Sequence, residues 1–171
     1  VDVSQQPTLS FAAPPTTIKD MDSAHRDDII RALNIPTDAI VHTAELCNGP
    51  TWQLFELKHA EQVLALDSSC VRWPTFKAIG LIAPHPPDSE CDYEVRMLAP
   101  SSGMSEDPIT GSLNAAIAKW LMHNNRLQKP YLVAQGTQIG RSGRVSVTPG
   151  SRETVWIGGE VHILIEGSVQ I

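Results

Sequence analysis

The segment Glu106-Asp107-Pro108-Ile109-Thr110-Gly111-Ser112 runs directly into an apolar pattern with helical spacing. Two acids, two hydroxyls and a glycine at a helix start can do more than begin a helix. The first four backbone N–H groups of a helix lack intrahelical partners and carry partial positive charge. Thr110 or Asp107 can cap one of them. Gly111 lets a ligand approach the backbone with no Cβ in the way. The N–H groups around Gly111, Ser112 and Leu113 can then hold a carboxylate or a phosphate, with the Ser112 hydroxyl as a further donor. Asp107 would lie beside that anion, placed to polarise or relay a proton rather than to bind charge. Ordinary capping explains the Ser, Thr and Asp equally well. It does not explain a glycine in the first turn or a second acid upstream. Spacing alone leaves both readings open.

Other candidates carry less. His25, His42, His59, His85, His123 and His162 stand singly, none at metal-ligand spacing with another histidine or an acid. Cys47, Cys70 and Cys91 form no CxxC or Cys/His cluster, which points to reduced thiols and no metal site. Arg96 can face the same pocket and pair with a ligand carboxylate, or pair with Glu94 or a neighbouring strand. "GTQIGRSG" at 136–143 resembles a phosphate loop only in its glycines, because no Lys-Ser/Thr follows, and it reads as a turn.

The elements that must position these residues follow from periodicity. Thr8 to Ala12 reads as a strand closed by Pro14-Pro15. Asp22 or Ser23 caps a helix through about Leu33, stopped by Asn34 to Pro36. Ala39 to Thr43 reads as a strand, Asn48-Gly49-Pro50 as a turn, and "TWQLFELK" as a half-buried strand. "HAEQVLALD" reads as a short helix with Val63, Leu64 and Leu66 inward. "FKAIGLIAP" is a buried strand, and "CDYEVRMLAP" alternates Tyr93, Val95, Met97 and Ala99 against Glu94, Arg96 and Leu98. Leu113, Ala116, Ile117, Trp120 and Leu121 define a nearly enclosed helix over about 112–123. "YLVAQG", "GRVSVTP" and "TVWIGGEVHILIEG" read as late strands, the last with a hairpin or bulge at Gly158-Gly159. These elements imply an α+β domain in which a curved, mostly antiparallel sheet wraps one central helix.

A chain of 171 residues with 42% hydrophobic content can bury a core without metals or disulfides. A net charge of −6 with no basic stripe argues against nucleic acid. No apolar run has membrane-spanning length and no signal peptide is evident, so no membrane partner and a cytoplasmic location are expected. The chain starts without methionine, in what reads as a strand, as a cut end would.

"YEVRMLAPSSGMSEDPITGSLNAAIAKWL", with "QGTQIGRSGRVSV", "VWIGGEVHILIEGSV" and "NGPTWQLFELKHAEQVLALDSS", resembles the C-terminal half of PhzF-like proteins of phenazine biosynthesis, which share the diaminopimelate-epimerase fold. The resemblance runs from about Asp22 onward. It implies two similar halves, each wrapping strands around a central helix, with the active site in the cleft between them. Asp107 would assist proton transfer, and Gly111 and Ser112, with Thr110 and Leu113 beside them, would contact the substrate carboxylate. Members are cofactor-free isomerases acting on small carboxylic acids. The family's principal acid/base, a glutamate, and a partner histidine come from the N-terminal half, and nothing in this chain matches them. Glu45 lacks that setting. Leu113 and Asn114 stand where the family has a small residue and often His. Residues 1–20 thus read as a terminal strand and linker left from a missing N-terminal domain, and 21–171 as the C-terminal domain. Alone, the chain is expected to be inactive. A homodimeric carboxylate-binding module and a non-catalytic remnant are the alternatives, with self-association expected from the uncovered surface.

Overall fold

Helix α1 (Ser23–Leu33) begins and ends where side-chain chemistry dictates. The Asp22 carboxylate accepts the His25 N–H at 2.9 Å, and Asn34 closes the helix in the left-handed region. The computed structural model describes residues 3–4, 9–101, 103–162 and 164–169. Thr8 of the first strand reading, most of residues 1–8 and Ile163 of the last one lie outside them.

The strands are β1 (Val3–Ser4), β2 (Ser10–Ala12), β3 (Thr17–Lys19), β4 (Ile40–Cys47), β5 (Thr51–Leu57), β6 (Ile79–Pro84), β7 (Tyr93–Leu98), β8 (Glu106–Asp107), β9 (Tyr131–Gln135), β10 (Gly143–Pro149) and β11 (Val155–Gly158). They form one sheet in the order β1-β2-β11-β10-β9-β7-β6-β5-β4-β3, with β8 paired to β7. Pairing is antiparallel except between β5 and β6 and between β7 and β9. Each parallel junction needs a crossover. The first carries helix α2 (Ala60–Leu64) and the second carries β8 and helix α3 (Gly111–His123).

Connectivity forces this sheet to curl. The nine strands from β2 to β3 would span about 38 Å if laid flat. Residues 13–16, which join β2 to β3, reach at most about 18 Å. The two margins of the sheet therefore come back toward each other.

α3 is the most buried of the three α-helices. Leu113 to Ala118, Trp120 and Leu121 are all buried, and the helix packs against β4, β10 and β11. Burying Leu113, Ile117, Trp120 and Leu121 contributes about 1.5–3 kcal/mol each. Val95, Met97, Val145, Val147 and Ile157 join the same cluster. A second cluster on the opposite face of β5–β7 gathers Ile29 and Leu33 of α1, Val63 of α2, and Phe55, Leu57, Leu81 and Leu98. β5 is consequently buried on both sides rather than half-buried, because α3 lies against one face and α1 and α2 against the other. Leu64 is only partly buried.

The last strand is shorter than its apolar alternation implied. β11 ends at Gly158, where its ladder with β10 stops at Ser146 and its ladder with β2 stops at Ser10. Residues 159–162 and 164–169 are not in a strand, and Leu164 and Ile165 are 90% and 92% exposed. An alternating pattern needs a ladder to become a strand, and among the described residues none continues there.

Candidate functional site

β7 and β8 deliver the motif to the start of α3. Met97 pairs with Asp107 and Leu98 with Glu106, so the two acids face opposite sides of the sheet. Glu106 joins the outer side. Its carboxylate receives Arg96 Nε at 3.0 Å and Arg96 Nη2 at 2.6 Å, with both side chains fully buried. Arg96 Nη1 also donates to the Val63 and Leu66 carbonyls at 2.7 and 2.8 Å, at the C-terminal end of α2. Arg96 is therefore fully engaged by the fold and offers nothing to a ligand. Its partner is not Glu94 but a residue of the neighbouring strand, as the other reading of Arg96 expected: Glu106 on β8, the first acid of the motif itself.

Asp107 lies on the other side, half-buried beside the helix start. Its Oδ2 accepts the Thr110 hydroxyl at 2.6 Å. Thr110 occupies the cap position of α3, but its side chain caps no N–H group, contrary to the simplest sequence expectation. Asp107 caps none either. Both are held by Gln135, a fully buried residue at the end of β9. Gln135 Oε1 accepts the Thr110 N–H at 3.2 Å, and its Nε2 donates to the Asp107 carbonyl at 3.2 Å and to Thr110 Oγ1 at 3.1 Å. Asn114 Nδ2 donates to Gln135 Oε1 at 2.8 Å and to the Thr110 carbonyl at 3.0 Å.

The N–H groups of Gly111, Ser112 and Leu113 have no acceptor among the described residues. Neither has the Ser112 hydroxyl, while the Ser112 carbonyl accepts Asn48 Nδ2 at 2.7 Å. Leu113 points its side chain into the core, over Gly80. It can give a ligand only its N–H, so its bulk does not shape a pocket. A Cβ on Gly111 would meet nothing nearer than the Phe11 ring, at 3.5 Å. The fold itself does not need glycine there. Phe11, Ile109, Gly111, Arg144 and Ile157 contribute to a cavity of about 380 Å³ beside the helix start. Arg144 on its wall is held by Glu90 at 2.9 Å.

The turn at 136–143 serves the motif. Gly136 has φ +87°, and a Cβ there would lie 2.7 Å from the Pro108 carbonyl oxygen. A Cβ on Gly143 would lie 2.5 Å from the Gln135 carbonyl oxygen and 2.6 Å from the Ile109 side chain. These two glycines let Pro108 and Ile109 settle onto β9 and β10, which brings Asp107 and Thr110 within reach of Gln135. Gln135 escaped the sequence reading, which noted Asn114 only as a departure from the family pattern. The available signal was a glutamine closing an otherwise apolar strand and an asparagine inside an otherwise apolar helix.

Among the described residues, no helix is long and apolar enough to cross a membrane. Cys47, Cys70 and Cys91 are unpaired there, and no group of His, Cys, Asp or Glu is placed to hold a metal ion.

A family model described as phenazine biosynthesis-like protein matches residues 2–167. An uncharacterized isomerase, YddE, of Salmonella typhimurium is 29% identical over 163 residues, covering 81% of this chain and 52% of the relative. YddE of Escherichia coli K12 is 38% identical over 78 residues, covering 40% of this chain and 26% of the relative. The fold is similar to that of a Bacillus anthracis phenazine biosynthesis protein of the PhzF family, with a TM-score of 0.71 at 15% identity over 92% of this chain and 60% of the other. A predicted epimerase from Pseudomonas aeruginosa superposes with a TM-score of 0.67 at 15% identity, covering 96% of this chain and 62% of that one. The alignments thus span about half or less of the curated relatives and about three-fifths of these solved structures. The chain belongs to the PhzC-PhzF family of phenazine biosynthesis-like proteins.

Proposed function

We propose that this chain is the C-terminal half of a PhzF-like, cofactor-independent isomerase or epimerase that moves a proton on a small carboxylic acid. The observation carrying this reading is the free first turn of α3. Three adjacent N–H groups, at Gly111, Ser112 and Leu113, lack acceptors among the described residues, while the Asp107 carboxylate is fixed at the cap residue beside them. A helix start of this kind favours an anion, and an adjacent carboxylate suits proton handling once the anion is seated. Residues 21–171 form the half domain in this reading, with the curled sheet wrapping α3 as a central helix. Residues 1–20, which carry β1, β2 and β3 of the same sheet, would be the terminal strand region and linker left from a second half. The principal acid/base glutamate would come from that half, so the chain alone is inactive. A cytoplasmic location goes with this reading.

The test has two arms. Titration of the 15N-labelled chain with benzoate and with succinate is expected to move the amide resonances of Gly111, Ser112 and Leu113 saturably. Amide shifts that never move would leave the motif as a helix cap only. Incubation with a panel of small amino and hydroxy acids in D2O is expected to give no deuterium incorporation by the chain alone. Turnover that disappears in Asp107→Ala would overturn the half-site reading.

A second reading has one observation in its favour. Val161, Leu164, Ile165 and Val169 are exposed, and a second copy could cover them. That would make a homodimeric carboxylate-binding module.

A further inference from the structure

The direction of every hydrogen bond around Thr110 follows from which atoms can only donate or only accept. The Thr110 backbone N–H can only donate, so the Gln135 atom it meets at 3.2 Å is the amide oxygen. The Asp107 carbonyl can only accept, so the Gln135 atom 3.2 Å from it is the amide nitrogen. Two independent backbone contacts thus fix the same orientation of the amide. Asn114 agrees with it. Its nitrogen must face the Thr110 carbonyl at 3.0 Å, and the same nitrogen donates to Gln135 Oε1 at 2.8 Å.

The consequence falls on the Thr110 hydroxyl. It accepts a hydrogen bond from Gln135 Nε2 at 3.1 Å and donates its own single proton in a hydrogen bond to Asp107 Oδ2 at 2.6 Å. Asp107 Oδ2 is therefore an acceptor by construction. Oδ1 has no donor among the described residues.

We propose that Gln135 is a positioning residue that acts through Thr110. It commits Asp107 Oδ2 to the hydroxyl and leaves Oδ1 as the oxygen that meets the substrate's mobile proton. This rests on the reading of the helix start as a carboxylate site. It adds a residue from β9, 24 positions beyond Gly111, to the machinery of proton transfer. Gln135 touches no reacting atom itself. It is fully buried, and its oxygen and nitrogen are both spent on the motif and the first turn of α3.

The test reads the hydroxyl proton directly. In the wild-type chain, NMR is expected to show a slowly exchanging Thr110 hydroxyl proton with a scalar correlation across the hydrogen bond to the Asp107 carboxyl carbon. A correlation to the Gln135 amide carbon overturns the proposal, and so does a hydroxyl that exchanges too fast to be seen. Thr110→Ser is expected to retain the correlation, and Thr110→Val has no such proton. In Gln135→Leu the hydroxyl proton should exchange with water roughly tenfold faster, since its fixed donor is gone. An unchanged exchange rate in a folded Gln135→Leu chain overturns the proposal. Should that variant fail to fold, as a thermal melt would reveal, the wild-type correlation still decides. Benzoate titration of Thr110→Val separates the two ideas. Shifts at Gly111–Leu113 that persist keep the carboxylate site whatever the hydroxyl does, whereas their absence in wild type removes that site alone.

Discussion

Two acids adjacent in sequence do opposite work because a strand sends neighbouring side chains to opposite faces. Glu106 is sealed against Arg96, and Asp107 opens to the helix start. Removing one partner of a fully buried pair strands a charge, so Arg96→Met is expected to cost about 3–5 kcal/mol. Urea denaturation would measure it, and a loss under about 1 kcal/mol would mean that the Glu106 carboxylate left behind relaxes into water. Gly111→Ala should behave differently. The position is the first residue of α3 and a Cβ there meets only Phe11, so stability should change by less than about 0.5 kcal/mol. Benzoate binding should weaken, because the methyl group stands where the ligand approaches. A stability loss with no change in binding would instead favour the plain cap. Glu94 supplies a pH dependence. Burial holds its carboxyl above the ordinary 4.5, and contacts with Thr137 and His85 offset only part of that. Folding then favours the protonated form, so this stabilisation is present below pH 4.5 and is lost as pH rises through the folded-state value. Glu94→Gln keeps a neutral side chain and should flatten that decline in melts run from about pH 4 to pH 7. An equally steep decline in the variant would assign it to other groups. At this scale the sequence offered candidates for chemistry, because Asp-Pro-x-Thr-Gly-Ser before an apolar helix is a local pattern. It could not tell that Arg96 serves Glu106, or that Gln135 holds Thr110, since both pairings come from strands that meet only in the fold.

The motif is held in place by three elements that must approach within van der Waals contact. Gly136 and Gly143 flank the turn between β9 and β10, where Pro108 and Ile109 come down on the backbone. Gly143→Ala would place a methyl 2.5 Å from the Gln135 carbonyl oxygen, so β10 or the motif must shift. Overpacking of this kind costs about 1–3 kcal/mol. The displacement should also reach the resonances of Thr110 and Gln135, which a simple loss of stability elsewhere would leave alone. Chemical shifts at those two residues matching wild type would show that the turn does not position the motif. The helices were legible because caps are local chemistry: Asp22, Asn34 and the apolar spacing of α3 mark their own boundaries. Strand burial was less so. "TWQLFELK" alternates as though one face met water, yet α1 and α2 cover that face, and no window of sequence carries which helix lies over which strand. The turn at 136–143 was read correctly as a turn, but its glycines answer to Pro108 and Ile109, far away in the chain.

At the scale of the molecule, the curled sheet comes back toward itself through a four-residue link, so most of its strands find partners on both sides. Among the described residues, the C-terminal segment beyond Gly158 pairs with no strand. Its aliphatic run around Val161, Leu164 and Ile165 read as part of a strand, and what is missing among the described residues is a neighbouring strand rather than the propensity. A run of exposed aliphatic side chains is costly to leave in water, at about 25 cal/mol for each Å² of apolar surface. Whatever buries that surface gains accordingly, and a second copy of the chain is available to do so at every concentration. Sedimentation velocity is therefore expected to show association that grows with concentration. Leu164→Lys/Ile165→Lys places two charges where the apolar contact would form, and should return the chain to a folded monomer whose melting temperature no longer depends on concentration. Those side chains are about nine-tenths exposed, so the substitution removes little from the core. Association that survives the double substitution would move the contact to another surface. Association that vanishes while benzoate binding persists would show that the carboxylate site is built within one chain. Binding lost together with the dimer would mean that the site is completed across it.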